Sequence, residues 1–327
     1  MTHVQEFFRD GMRKNGYGPI TFDLDRRPDG QVNIIMVKGS EPTLSYHRAS
    51  PESKEKVCSS VRQEFAKHGL NLDREVVVIF QVLMTRDPGR SIEIGPFVGG
   101  GNGMRGAAFV FDDIHLDAAL LPSKQPDPYA PPGTTIGKFN TTYIGGIAHE
   151  LGHALGLPHD GEGPGPRRFT GRSIMGRGNH DYGEDLRGEG LGAILSAASA
   201  FPLSLHPLFT KKEPEQTKVD FTITRLKAEP VRGQLKLEAA VEGSVKAVGL
   251  VALNDHDADP KDYDAMGWVA PITSDGSFRC LIGNLAPGAY NLSLRVYAED
   301  GPFNVFTYSY RVDALGRIDT TQLQIGD

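Results

Sequence analysis

Residues 149–160 read His149-Glu150-Leu151-Gly152-His153-Ala154-Leu155-Gly156-Leu157-Pro158-His159-Asp160. The three histidines, Glu150 and Gly156 fall in the spacing His-Glu-x-x-His-x-x-Gly-x-x-His. In a chain with 10 His and 39 Gly, chance gives that coincidence on the order of once in ten thousand sequences. Residues four apart on a helix share a face, so His149 and His153 aim at one point. Glu150, one position on, leans toward that point without joining the row, which suits a base acting on water better than a ligand. Gly156 tolerates left-handed backbone angles and can end the helix, and Pro158 cannot continue it. The chain must turn there, and the turn can return His159 as a third imidazole. Three neutral imidazoles and a water make a tetrahedral zinc site with an open position, the catalytic arrangement. A structural zinc would normally take four protein ligands, usually with Cys among them, and Cys58 and Cys280 both lie far from the motif. The expectation is one catalytic Zn2+ on His149, His153 and His159, with Glu150 as general base.

Working outward, the motif helix is expected over about residues 140–155, capped by Asn140 or Thr141, with Ile144, Ile147, Leu151 and Leu155 facing the core. The proline-rich stretch 112–138 before it reads as a long loop of the kind that often serves as a lid. Residues 95–104 (GPFVGGGNGM) read as a flexible glycine-rich surface loop, since no phosphate-binding spacing fits them. Gly106–Phe111 reads as a short strand whose small residues, Ala107 and Ala108, let another backbone approach. Two readings stand for it: an ordinary edge strand, or one that pairs with an extended peptide substrate. The apolar run 75–84 suits a central strand covered on both faces. Ser50-Pro51-Glu52 opens a helix over about 51–68, with Cys58 as core filler beside Val57, Val61 and Phe65. Residues 19–37 read as two short strands around Pro28-Asp29-Gly30, and residues 1–15 as an amphipathic helix.

Beyond the third histidine comes a Gly- and Pro-rich stretch, 161–172, and then Ser173-Ile174-Met175-Gly176. The extended motif followed by a Met on a tight turn resembles the metzincin clan of zinc endopeptidases. The resemblance covers roughly residues 75–200 and is specific at 149–160 and 173–176. It implies a catalytic domain with a twisted mixed sheet and an active-site helix, an α+β (α/β-like) fold, and a hydrophobic floor beneath the metal supplied by Met175, which is not a ligand. Asp160 directly after the third His is the adamalysin-like residue, but the dense disulfides of adamalysins are missing. Astacins and serralysins carry a Tyr two residues after the Met, where this chain has Arg177. His180 or Tyr182 are the alternatives for a group near the metal or the oxyanion. The match therefore fits the clan, most closely its uncharacterised bacterial and fungal members. A helix over 185–200 is expected to close the domain, and 201–216 to be a linker or packing segment with His206 at a surface or interface.

From about 217 the pattern changes to short alternating stretches at 218–226, 233–241, 245–253, 277–283, 288–297 and 303–312, separated by signals such as Arg232-Gly233 and Asp275-Gly276. These predict an all-β sandwich, immunoglobulin- or fibronectin-like. The organisation expected is a catalytic domain over 1–210 and an accessory sandwich over 217–327 that binds substrate or a partner. Trp268 is expected in a sheet or an interface. Asn254-Asp255-His256-Asp257-Ala258-Asp259 reads as a solvated acidic loop or, alternatively, a Ca2+ site.

With 35 Lys and Arg against 41 Asp and Glu, net charge −6, and no basic stripe, nucleic acid is excluded as a partner. No window reaches the roughly 20 apolar residues of a membrane span. No basic region followed by an apolar one marks a signal peptide, so the chain is read either as cytoplasmic or as a trimmed form of an extracellular or periplasmic protein. Asn140-Thr141-Thr142 and Asn291-Leu292-Ser293 are glycosylation sequons. The function expected is a zinc-dependent endopeptidase acting on a peptide or protein. The alternatives are a binding or adhesion protein with a vestigial metal site and a metal-dependent hydrolase of a non-peptide amide. The intact Glu150 favours an enzyme.

Overall fold

The computed structural model describes residues 1–47, 50–87, 90–161, 170–212, 218–256 and 263–323, and is a mixed α and β protein with several sheets. No sheet closes into a barrel among the described residues. The chain divides into two compact units that interleave in sequence. The first is Met1–Phe7, Phe22–Leu157 and Gly178–Ala193, and the second is Phe8–Thr21, Pro158–Arg177 and Ile194–Asp327. Among the described residues no helix is long and apolar enough to cross a membrane.

Helix α1 spans Thr2–Lys14. Helix α2, Pro51–Lys67, starts with proline in its first turn, where a missing N–H costs nothing. Val61 and Phe65 of α2 are buried against Leu72, Ile79 and Phe109. Strand β1 is Val76–Gln81, β2 Met84–Asp87 and β3 Arg90–Glu93, the last two forming an antiparallel hairpin. Strand β4 is Val98–Gly101 and β5 Gly106–Phe111. The sheet order is β1-β5-β4, with β5 parallel to β1 and antiparallel to β4. Two expectations change here. The apolar run 75–84 is an edge strand rather than a central one: beyond its packed residues it leaves Phe80 41% and Val82 76% exposed. The central place belongs to β5, whose small residues admit a helix on one face. Residues 19–37 form no strands but a turn with an isolated bridge, Arg26 to Val32, and Gly30 at φ +82°.

Helix α3, Ile136–Ala154, carries the motif. It begins a turn before the expected cap, because Thr135 Oγ1 accepts from the Lys138 N–H. Asn140 is instead interior: its Oδ1 accepts from Asp117 N–H and its Nδ2 donates to Ile136 O, which ties the preceding loop to the helix. The glycine-rich stretch is where α3 meets the sheet. A Cβ on Gly99 would overlap the Glu150 carbonyl, and one on Gly101 or Gly106 the Ala154 carbonyl. Thus 98–101 is a strand and not a surface loop, and its glycines are the clearance that lets a helix backbone lie directly on a sheet.

Strand β6, Arg172–Ser173, belongs to the second unit, and residues 178–193 after it to the first. The single helix expected over 185–200 is broken by glycines: α4 (Glu184–Arg187) stops at Gly188, φ +66°, and Gly192 at φ +74° precedes the short strand β7, Ala193–Ile194. Helix α5 (Ala197–Leu205) starts after Ser196, whose hydroxyl accepts from Ser199 N–H, and α6 is Pro207–Thr210. The segment 201–212 is therefore helical packing rather than linker; residues 213–217 lie outside the described residues. His206 is 4% exposed, capping α6 by accepting Leu208 N–H at Nδ1, and is not at the surface.

Among the described residues the sandwich has eight strands: β8 Thr222–Val231, β9 Gln234–Glu242, β10 Ala247–His256, β11 Met266–Pro271, β12 Ser277–Ile282, β13 Gly288–Ala298, β14 Phe303–Val312 and β15 Ile318–Asp319. They form two antiparallel sheets, ordered β11-β10-β13-β14-β15 and β12-β9-β8, whose apolar faces share one core. Arg232 and Gly233, both at positive φ (51° and 75°), make the tight turn between β8 and β9. Trp268 sits in β11, a strand not anticipated, half-buried against that core.

Candidate metal centre

The motif helix ends as its sequence requires. Gly156 adopts φ +85°, its N–H donates to His153 O and the Leu157 N–H donates to Gly152 O, the paired bonds of a Schellman cap. A Cβ on Gly156 would also meet the Gly103 backbone. Glycine is therefore required twice, by angle and by space. The same turn presents the Leu157 carbonyl to His153 Nδ1 at 2.9 Å. A carbonyl only accepts, so Nδ1 carries the proton and Nε2 keeps its lone pair. Such a bond to the outer nitrogen is the usual device for fixing a metal-ligating imidazole.

His149 Nε2 and His153 Nε2 face each other at 3.1 Å. Ligand atoms of His149, His153 and His159 all lie within 4.8 Å of one another. Two nitrogens on one tetrahedral zinc would be roughly 3.3 Å apart, from Zn–N bonds of about 2.05 Å. The three side chains thus fit a single ion with three protein ligands. Among the described residues no second group of three His, Cys, Asp or Glu converges in this way.

Glu150 does not join this set. Its Oε2 accepts from the Gly99 N–H at 2.5 Å, and the carboxylate is half-buried. The N–H comes from β4, one of the two outer strands of the sheet, so the glycine seat of α3 also fixes the rotamer of Glu150.

Asp160 is 1% exposed, and its carboxylate gathers hydroxyl donors from three places. Ser173 donates to Oδ1; Ser196 and Ser199 donate to Oδ2 at 2.7 and 2.5 Å. Its N–H donates to Met175 O at 3.4 Å. Asp160 therefore joins the end of the motif to the turn containing fully buried Met175 and to the start of α5. Hydrogen bonds to a charged acceptor compensate its burial. One neighbour was not foreseen: the ring of Tyr263 lies on that of His159, centroids 4.1 Å apart at 32°.

The remaining candidates lie as follows. Ala107 and Ala108 have both neighbours occupied, Val77 and Val78 on one side and Gly100 and Gly99 on the other. No edge is left on β5 for a peptide, which corrects the expected edge strand; the outer strands are β1 and β4. His180 is exposed, in a short helical turn, Arg177–His180. Tyr182 is 3% exposed with its ring against His3 and Phe7, and burial, followed by the charges of Asp185 and Glu6, raises its pKa strongly. Of the acidic stretch, Asn254 Oδ1 accepts from Tyr310 OH inside the sandwich, and residues 257–259 lie outside the described residues. Both thiols are free; burial raises the pKa of Cys58 and pushes that of Cys280 up to about 12.

Scanned against models of known protein families, the sequence finds no match, and none is found among curated proteins. Solved structures do resemble it. Wild-type OgpA from Akkermansia muciniphila superposes with a TM-score of 0.77 at 22% identity, covering 94% of this chain and 85% of that one. Catalytically inactive OgpA from the same organism, in complex with an O-glycopeptide (glycodrosocin) substrate, superposes at 0.77 with 20% identity, covering 95% and 85%. At this identity the likeness establishes a shared fold.

Proposed function

We propose that this chain is a zinc-dependent peptidase, and that O-glycosylated peptides are its substrate class. The observation that carries the reading is the convergence of His149, His153 and His159 with the His153 tautomer fixed for ligation. The fold shared with OgpA, one form of which binds an O-glycopeptide substrate, supports the substrate class.

Zinc held by three imidazoles would supply Lewis acidity toward a carbonyl and toward water. The chain's own residues do the rest. His149 and His153 project from one face of α3, and His159 returns after the Gly156 turn. Glu150, steadied by the Gly99 N–H, takes the proton of the attacking water and passes it to the leaving amine. The outer edge of β4 is the place for an extended substrate backbone to lie, beside Glu150. Met175 and Asp160 support the ligand loop from within.

The test is cleavage of an O-glycosylated peptide and its unglycosylated twin by the zinc-loaded chain and by Glu150→Ala, followed by mass spectrometry. Loss of the base is expected to slow cleavage by about 10²–10⁴-fold with zinc still bound. Wild-type protein that binds zinc and cleaves neither peptide would leave the binding-protein reading in its place.

A further inference from the structure

The three imidazoles are not held equally. His149 and His153 take their directions from α3, and the Leu157 carbonyl fixes His153 further. His159 stands beyond the helix, after Gly156 and Pro158, where no helical geometry sets its ring. Its backbone is anchored next door by Asp160, but that leaves its side-chain torsions to be set by what the ring touches.

One ring that it touches comes from far along the chain. Tyr263 precedes β11 of the sandwich, and its ring lies on that of His159 at 4.1 Å and 32°, a close tilted contact. The contact belongs to a clamp. Gly161 N–H donates to Ala265 O at 2.6 Å. On the other flank, a Cβ on Gly176, the residue after Met175, would stand 2.9 Å from the Tyr263 carbonyl and 2.6 Å from that of Asp160. Residues 263–265 thus press on both the ligand loop and the Met175 turn. Tyr263 supplies the flat face between them.

We propose that Tyr263 is a positioning residue for the metal centre: its ring holds the His159 imidazole in the orientation that completes the three-nitrogen set. This assigns the sandwich a part in the site itself. The inference rests on the metal-binding reading above. It requires the ring and not the hydroxyl, so Phe should replace Tyr and Ala should not.

The experiment uses the full chain as wild type, Tyr263→Ala, Tyr263→Phe and Tyr263→Leu, the last keeping bulk if the alanine variant fails to fold. Zinc affinity is measured by competition with a chromogenic chelator, and Co2+ is added to the metal-free protein to record its visible spectrum, which reports ligand geometry. Loss of a partner that orients a ligand typically costs 10–100-fold in metal affinity. Tyr263→Ala and Tyr263→Leu are expected to lose at least about tenfold and to shift the Co2+ bands, while Tyr263→Phe keeps both wild-type values. Wild-type affinity and spectrum in the Ala or Leu variant, or an equal loss in Tyr263→Phe, overturns the role given to the ring and leaves the zinc reading standing. A wild-type chain that takes up neither metal overturns the zinc reading and this inference together.

Discussion

His206 caps α6 through Nδ1 while its ring is 4% exposed, and burial holds its pKa down to about 4. The folded protein keeps this imidazole neutral, whereas the unfolded chain protonates near the ordinary value of about 6.5. Its contribution is present above pH 6.5 and is lost progressively as pH falls toward 4, with a full loss of about 3 kcal/mol. Asn can keep the cap, since its side-chain oxygen also accepts an N–H, but does not titrate. Urea melts of His206→Asn should therefore lose less stability than wild type between pH 7 and 4. Equal losses would contradict the buried, neutral histidine. In the sequence this residue carries no mark of its burial, because the contacts around it, Phe209 among them, come from a helix broken by prolines. His149, Glu150 and His153 were legible because one helix turn decides their grouping. Tyr263 was not, since a tyrosine between an acidic stretch and a strand says nothing about a ring contact with a residue far upstream.

Strand β4 gives the clearest case of an element whose composition misleads. Three consecutive glycines, Gly99 to Gly101, look like a flexible loop. In the fold, two of them face the backbone of α3 and the one between faces open space: a Cβ on Gly99 would overlap the Glu150 carbonyl, while one on Gly100 meets nothing within 4 Å. Gly99→Ala should force strand and helix apart at a cost of about 1–3 kcal/mol, lowering Tm by several degrees and slowing peptide cleavage through the displaced Glu150. Gly100→Ala should leave Tm nearly unchanged. Thermal melts of the two variants side by side check this, and equal shifts would mean that the glycines do not act as a helix seat. Strands β8, β9, β10, β12, β13 and β14 were legible from alternation and turn signals, β11 and β15 were not, and α2 was legible from the proline in its first turn and its apolar stripe. The helix expected over 185–200 was not found because the left-handed glycines at 188 and 192 outweigh its apolar spacing.

At the scale of the whole chain, residues 8–21, 158–177 and 194–212 belong to the same compact unit as the sandwich. Ala198 of α5 is buried with Val251, Leu253 and Tyr297, and Phe201 and Leu205 pack on them. Fully burying a Val, Leu or Phe side chain contributes about 1.5–3 kcal/mol, so these residues lose stabilisation when the sandwich is removed. In a fragment ending at residue 212, residues 194–212 should accordingly lose the amide hydrogen-exchange protection they have in the full chain; unchanged protection there would show that the sandwich is dispensable for ordering them. The central claim, that His149, His153 and His159 hold one zinc ion, is tested most directly by elemental analysis of the intact chain after zinc loading and exhaustive dialysis, beside His149→Ala and His159→Ala. The account predicts one zinc per chain in wild type and a loss of most of it in both variants. Wild type without zinc, or variants that retain a full equivalent, would contradict it.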